Sequence, residues 1–414
     1  MPANLHPRII EPAEVPYWIA SVLVPFFQVG NEDAVEHWPP HLEADRPWAV
    51  SDEGRIVANC CVLSRDITVP AIEGPCPPLA MTAISGVGVH PTHRRRGLLT
   101  KMMAAMVSDG AERGEPLAGL VASEAGIYGR FGFGLASFET GVVLDPLRSA
   151  FARLPAPVPI RLIDAEEARQ VLPPIHEQAR RRRPGDINRN EAAWGDAWAD
   201  LPARRDGASA AMRAVTDEGY VAYRVRHRMV DRIEANQVIV YDLYARDPEV
   251  EAALWRFVLD IDLVGEVVGW RRPVDDPLRW WLRDPRQLRT TALSDMLWIR
   301  PLDVRAALGA RGYGGAGRIV LEVEPAPGLA GGDPAAGRYV LEAGPDAATC
   351  RRAAPGEAAQ VTLGVAALGS LLMGTVSATV LAAARLLEAT EPRTLELLDR
   401  LFRTPAAPFL GTGF

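Results

Sequence analysis

Apolar positions along this chain switch between two periods, and the sharpest switch falls at residues 84–107. Ile84, Val87 and Val89 stand among small residues in a pattern that predicts a short buried strand. Pro91 has no amide hydrogen and ends the ladder. After three arginines and Gly97, the apolar positions Leu98, Leu99, Met102, Met103, Met106 and Val107 recur at helical spacing. The stretch therefore reads as strand, basic turn, helix.

The same reading divides the chain into three blocks. The first, 1–147, opens with a helical stretch near 12–27 and strands near 47–51, 55–65 and 82–90. It continues through the helix at about 95–113, the strand 117–122, a short helix at 125–130 and a closing strand near 136–144. A Pro-rich hinge at 154–159 marks the second block, 148–294. Its strands 219–224 and 237–243 precede a helix from Pro248 to about Leu263. The third block, 295–414, begins with Met296-Leu297-Trp298-Ile299-Arg300 and a helix over Pro301–Gly309. Strands near 317–324 and 338–342 and a helix near 379–389 follow, and the Gly/Pro-rich 325–337 reads as a mobile hairpin loop. Strands alternating with helices in this way predict an α/β (mixed α+β) protein with its ligand at the strand ends.

Composition narrows the function classes. A chain of 414 residues, 48% hydrophobic and 23% charged, is that of a globular protein with more than one core. The net charge of −7 gives no global attraction to nucleic acid or to a membrane surface. Cys60, Cys61, Cys76 and Cys350 lack metal-ligand spacing and read as reduced thiols, so no metal is expected. No run of about 18 apolar residues occurs, and the expected location is cytoplasmic. The basic cluster Arg180–Arg183 reads as a surface helix end.

The chemistry concentrates at the basic turn. A helix start leaves its first amide hydrogens unpaired and carries partial positive charge. Arg94, Arg95, Arg96 and Gly97 placed there can cradle a diphosphate, and a glycine lets the phosphate approach the backbone. The turn resembles the pyrophosphate loop Gln/Arg-x-x-Gly-x-Gly/Ala of GNAT-type N-acetyltransferases, with Leu99 in place of the final small residue. The second block has Tyr244-Ala245-Arg246-Asp247-Pro248 after its strand and no such turn, so it is expected not to bind that ligand.

The resemblance narrows where Pro91–Leu99 is followed by Ala122-Ser123-Glu124-Ala125-Gly126-Ile127-Tyr128-Gly129-Arg130-Phe131-Gly132-Phe133-Gly134. This pairing, with Leu297–Val304 and Ala306–Tyr313, resembles the Eis (enhanced intracellular survival) acetyltransferases. The resemblance implies two tandem GNAT-like mixed sheets, the second degenerate, and a C-terminal sterol-carrier-protein-like domain, assembled as a hexamer. It implies acetyl-CoA as donor and, as acceptors, primary amines of aminoglycoside, polyamine or lysine type. It implies Tyr128 as general acid and the carboxylate of the terminal Phe414 as general base. A phenol of pKa about 10 stays protonated at neutral pH and can donate to a departing thiolate. The tail Ala406–Phe414 is apolar and uncharged, a composition that favours burial and so a fixed place for its carboxylate.

On the donor side, the backbone of Val87 and Val89 is expected to pair with pantetheine, Arg94 to Leu99 (with Leu98) to hold the pyrophosphate, and Ser85 and Gly86 to lie near the acetyl carbonyl. On the acceptor side, Phe26, Gln28 and Trp38 are pocket candidates, with Trp18 and Phe27 beside them. Gln28 and Gly413 stand where family members often carry acidic residues. Glu32, Asp33 and Glu36 are the carboxylates that can compensate. His90 and His93 read as spectators of the turn. The competing reading is a non-catalytic acyl-CoA- or lipid-binding protein on the same scaffold.

Overall fold

The computed structural model describes residues 5–28, 38–329, 332–344 and 347–414. Glu32, Asp33 and Glu36 lie outside the described residues. Among the described residues, three large sheets and a two-stranded ribbon, Met229–Val230 with Ile233–Glu234, are formed.

The first sheet runs, in spatial order, through Arg8–Ile9, Pro47–Asp52, Arg55–Thr68, Pro78–Val89, Leu117–Val121, Leu297–Pro301 and Gly134–Leu135. The second runs Arg289–Asp295, Phe138–Leu144, Val264–Arg272, Asn236–Ala245, Gly219–Arg226, Met212–Val215 and Arg161–Ile163. The third contains Ala348–Arg352, Gly337–Ala343, Gly317–Glu324, Val361–Gly364 and Leu387–Ala389.

Two strands cross the block divisions. Phe138–Leu144, read as closing the first block, pairs with Val264–Arg272 and Arg289–Asp295 in the second sheet. Leu297–Pro301, read as opening the third, lies between Leu117–Val121 and Gly134–Leu135 in the first. Alternation identifies a strand but not its partner, which long-range packing selects. The helix read at 379–389 is a single turn and a half, Ala378–Ala383, before the strand Leu387–Ala389. Val365–Met373 and Pro392–Phe402 are the longer helices of that region.

The inserted strand fastens the third sheet's helices to the first sheet. A Cβ on Gly134 would stand 1.8 Å from the carbonyl oxygen of Ala366, and one on Gly369 would stand 2.3 Å from that of Ile299. Both glycines therefore let the helix Val365–Met373 press directly on strand backbone. One continuous apolar core results, joining Met81, Ala83 and Leu297 to Ile319, Leu368 and Leu398. The opposite face of the first sheet is covered by Leu98, Met102, Met103 and Met106 of the helix Leu98–Glu112. The second sheet packs Trp255 and Leu254 of the helix Pro248–Leu259 into a core of its own.

In the stretch read as a mobile hairpin, the described residues 325–329 and 332–337 are anchored. The carboxylate of Asp333 pairs with the fully buried guanidinium of Arg300 and accepts the backbone N–H of Ala326 at 2.8 Å and of Ala335 at 3.0 Å. The Arg180–Arg183 cluster is likewise internal. Arg180 pairs with Glu177 at 2.6 Å, Arg182 with Glu251 at 3.2 Å, and Arg183 with Asp275 at 2.5 Å. One carboxylate of the same helix and two remote in sequence turn what reads as a basic surface into a set of clamps.

Candidate active site

The site begins where two parallel strands part. Pro78–Val89 pairs with Leu117–Val121 from Met81↔Leu117 to Ile84↔Leu120. Beyond Ile84 it stays paired only with Arg55–Thr68, where one extra residue is accommodated between Asn59↔Gly88 and Cys61↔Ser85. Gly86 takes the strain of this bulge at φ +60°, and its carbonyl accepts the Asn59 Nδ2 amide at 2.7 Å. The backbone of Gly86–Val89 facing the parted strand is left without a ladder partner among the described residues. Such an edge can take an extended ligand as an added strand.

At the end of that edge stands the basic turn. Gly97, at φ +76°, is the residue before the helix Leu98–Glu112, whose first turn has no side-chain cap and no acidic residue. Arg95 is also left-handed at φ +62°. Arg94, Arg95 and Arg96 are exposed and make no ion pair among the described residues. No atom lies within 4 Å of a Cβ built on Gly97, so the space over the helix start is open. The turn is held from behind by His93, whose Nε2 lies 3.0 Å from Asp52 Oδ2, and by the contact of Thr92 Oγ1 with His90 Nδ1 at 2.8 Å. The two histidines are anchors of this turn. The corresponding helix of the second unit is different. Asp247 caps Pro248–Leu259 by accepting the N–H of Glu249 at 2.9 Å and of Val250 at 3.0 Å, and Glu249 and Glu251 occupy its first turn. The Asp247 carboxylate already occupies the amides at that helix start, where an anion would otherwise bind.

Tyr128 ends the short helix Ala125–Tyr128 and packs edge-on against Phe133, ring centroids 6.3 Å apart. Its ring is buried, while its hydroxyl has no hydrogen-bond partner among the described residues. Burial first, then the charge of Glu124, pushes this phenol above its usual value of 10. Arg300 steadies the turn that follows by donating to the carbonyl of Phe131 at 2.5 Å.

The C-terminal tail reaches the same place from the far end of the chain. Phe409 N–H donates to Pro184 O at 2.9 Å, passing so close to Gly185 (φ +95°) that a Cβ there would lie 3.1 Å from the Phe409 nitrogen. Asp186 Oδ1 accepts the N–H of Gly411 at 3.1 Å and of Thr412 at 3.3 Å, while Oδ2 accepts the Tyr244 hydroxyl at 2.7 Å. Arg189 donates to Thr412 Oγ1 at 2.8 Å and is held bidentate by Asp242 at 2.7 and 2.9 Å. Leu410 is fully buried, and Phe414 packs against the core of the first and third sheets.

A cavity of about 300 Å³ opens at the strand bulge. Phe414, Tyr128, Ser85, Gly86 and Val87 border it, together with Phe26, Gln28 and Trp38. The residues expected on the acceptor side and those expected at the reacting centre thus share one space. A second cavity of about 380 Å³ continues from it past Trp38, Ser85 and Phe414 into the gap between the first and second sheets. Asp186, Arg189 and Arg300, which hold the tail and the Tyr128 turn, were not legible as site residues. The partners named above lie 33 to 226 positions away, and no local spacing marks them. No group of three or more His, Cys, Asp or Glu among the described residues is placed to hold a metal ion.

Fold and site together define a tandem GNAT acetyltransferase with a sterol-carrier-type C-terminal domain. Sequence profiles agree: residues 6–136 and 185–305 each match an acetyltransferase (GNAT) domain, and 304–411 match a sterol carrier protein domain. The chain is 35% identical over 335 residues to the N-acetyltransferase Eis of Mycobacterium bovis, covering 78% of each chain. It is 36% identical over 422 residues to an uncharacterized N-acetyltransferase of Streptomyces avermitilis, covering 99% of this chain and 98% of that one. The crystal structure of Eis1 from Mycobacterium abscessus superposes with a TM-score of 0.85 at 30% identity, covering 99% of this chain and 100% of the other. The chain belongs to the Eis family of GNAT N-acetyltransferases.

Proposed function

We propose that this enzyme transfers the acetyl group of acetyl-CoA directly to a primary amine, with Tyr128 as general acid and the terminal carboxylate of Phe414 as general base. The observation that carries this reading is that Tyr128 and Phe414, from distant parts of the chain, border one cavity at the strand bulge.

The donor site is assigned to stretch 1–147. The free edge at Val87 and Val89 pairs with pantetheine, and the uncapped turn Arg94–Leu99 neutralises the pyrophosphate. Ser85 and Gly86 face the acetyl carbonyl, where a backbone N–H stabilises the developing oxyanion. As the amine nitrogen bonds to that carbon its protons become acidic, and the Phe414 carboxylate accepts one. Tyr128 then donates its phenolic proton to the departing sulfur. Stretch 148–294 carries no donor site, and stretch 295–414 delivers the terminus. A homo-oligomer, a hexamer by family likeness, has exposed apolar residues such as Leu147, Leu154 and Trp280 from which to build contacts.

Thiol release from acetyl-CoA with a panel of primary amines tests the enzyme reading. Turnover on at least one amine is expected, and binding of acetyl-CoA without turnover on any amine would favour a non-catalytic acyl-CoA-binding role instead. Removal of Phe414 should abolish turnover while the protein stays folded and still binds acetyl-CoA; full activity after that deletion rules out the terminal base.

A further inference from the structure

The cavity beyond Phe414 has a charge pattern that selects among amines. Its floor is one face of the strand Arg55–Thr68, where alternation points Cys61, Leu63 and Arg65 the same way. Arg65 is 5% exposed and borders this cavity, yet it makes no ion pair among the described residues. Its Nη1 donates to the Ser64 carbonyl at 2.9 Å, and its Nε is buried without a partner. Glu43 is the carboxylate whose charge it feels most, but that carboxylate accepts the Ser64 N–H and hydroxyl, each at 2.6 Å.

Among the described residues, the other side-chain charges that line the cavity have partners, and the Phe414 carboxylate, the proposed base, stands at its border with the reacting centre. Asp242 is neutralised by Arg189, and Asp196 stands between Arg204 at 3.3 Å and His41 at 3.8 Å. Arg271, half exposed beside Gly413, has Glu139 at 3.7 Å. Arg65 is thus a permanently charged, desolvated fork with donors to spare, and such a group calls for an anion.

Resting on the reading of this site as an amine acetyltransferase, we propose that the acceptor is an amine carrying a carboxylate at its far end, which Arg65 binds. Trp38, Ser85 and Phe414 border both cavities, so the reacting centre and the Arg65 seat are continuous. Cys61, opposite Ser85, and Arg65 are four residues apart on one strand, roughly 13 Å between Cα atoms. An α-amino acid cannot bridge that separation, whereas an ω-amino acid or the C-terminal part of a short peptide can.

The test compares kcat/KM for octylamine, octanediamine and aminooctanoate with its amine and carboxylate at opposite ends. Aminooctanoate should exceed the diamine by about tenfold or more, chiefly through KM. Arg65→Gln should bring the two toward equality, and Arg65→Lys should keep part of the preference. A wild-type enzyme that prefers the diamine, or shows no preference, overturns the proposal without recourse to any variant. Calorimetric binding of aminooctanoate separates the two readings. Arg65-dependent binding with no turnover on any amine would sink the acetyl-transfer chemistry and keep the anion seat. Turnover on the diamine with no aminooctanoate binding would do the reverse.

Discussion

Asp186 Oδ1 accepts the backbone N–H of Gly411 at 3.1 Å, tying the last residues of the chain to a loop that leads into the second sheet. Asp186→Ala removes this contact, the one to Thr412 and the Tyr244 hydroxyl's acceptor together. The tail should then lose its fixed course, and kcat should fall on the order of a hundredfold, the usual effect of an ångström-scale misplacement. Acetyl-CoA affinity, measured by calorimetry, should stay near that of the wild type, because none of these hydrogen bonds of Asp186 reaches Ser85–Leu99.

His176 gives the same region a pH dependence. It is packed between Trp194 and Tyr244, and its Nε2 lies 3.4 Å from Thr412 Oγ1. Burial first, then Arg189 and Arg180, hold its pKa well below the ordinary imidazole value of 6.5. The unfolded chain takes up this proton below that value and the folded one does not. Stability should therefore be intact above about pH 6.5 and fall on acidification, by at most about 1.4 kcal/mol per pH unit for this one group. Melting curves between pH 7.5 and 5 should show a smaller decline for His176→Gln than for the wild type.

Gly97→Ala places a side chain over the open helix start at φ +76°. The strain should cost about 1–2 kcal/mol. The larger effect should be on the donor, with KM for acetyl-CoA raised about tenfold or more because the methyl group meets the approaching phosphate. Steady-state kinetics with varied acetyl-CoA checks this, and an unchanged KM would remove Gly97 from the cradle.

Tyr128→Phe keeps the packing on Phe133 and deletes the proton. The expected loss in kcat is about 10²- to 10⁴-fold, with little change in melting temperature. Because the phenol titrates above 10, the wild-type enzyme should show no loss of the acid through the neutral range. A Tyr128→Phe enzyme with wild-type kcat would require another proton donor.

Arg300 and Asp333 are both fully buried, and each is the other's counter-ion. Arg300→Met should destabilise the protein by about 3–5 kcal/mol, since it strands a buried carboxylate. Adding Asp333→Leu should recover much of that loss. Denaturant melts of the two variants decide the point, and equal stabilities would show that the carboxylate is not stranded.

Much of the first unit was legible because its signals are local. Ile84 to Val107 shows the change from strand to helix within two dozen residues, and Gly97 occupies the left-handed position that the turn requires. The partners of Phe138–Leu144 and Leu297–Pro301 were not legible, since alternation does not record which sheet receives a strand. Arg182 and Arg183 read as surface because their partners Glu251 and Asp275 come from across the fold and leave no pattern in neighbouring residues.

The sequence by itself determined the strand, basic turn and helix at which the donor is proposed to bind, because their geometry follows from Pro91, Gly97 and the apolar spacing between them. Only the tertiary structure formed the cavity at which the acceptor is proposed to bind. Tail, second sheet and first sheet meet there through contacts such as Asp186 with Gly411 and Arg189 with Asp242. Whether Arg65 faces a carboxylate or a cavity depends on side chains brought in from elsewhere, so its charge acquires meaning only in the folded chain.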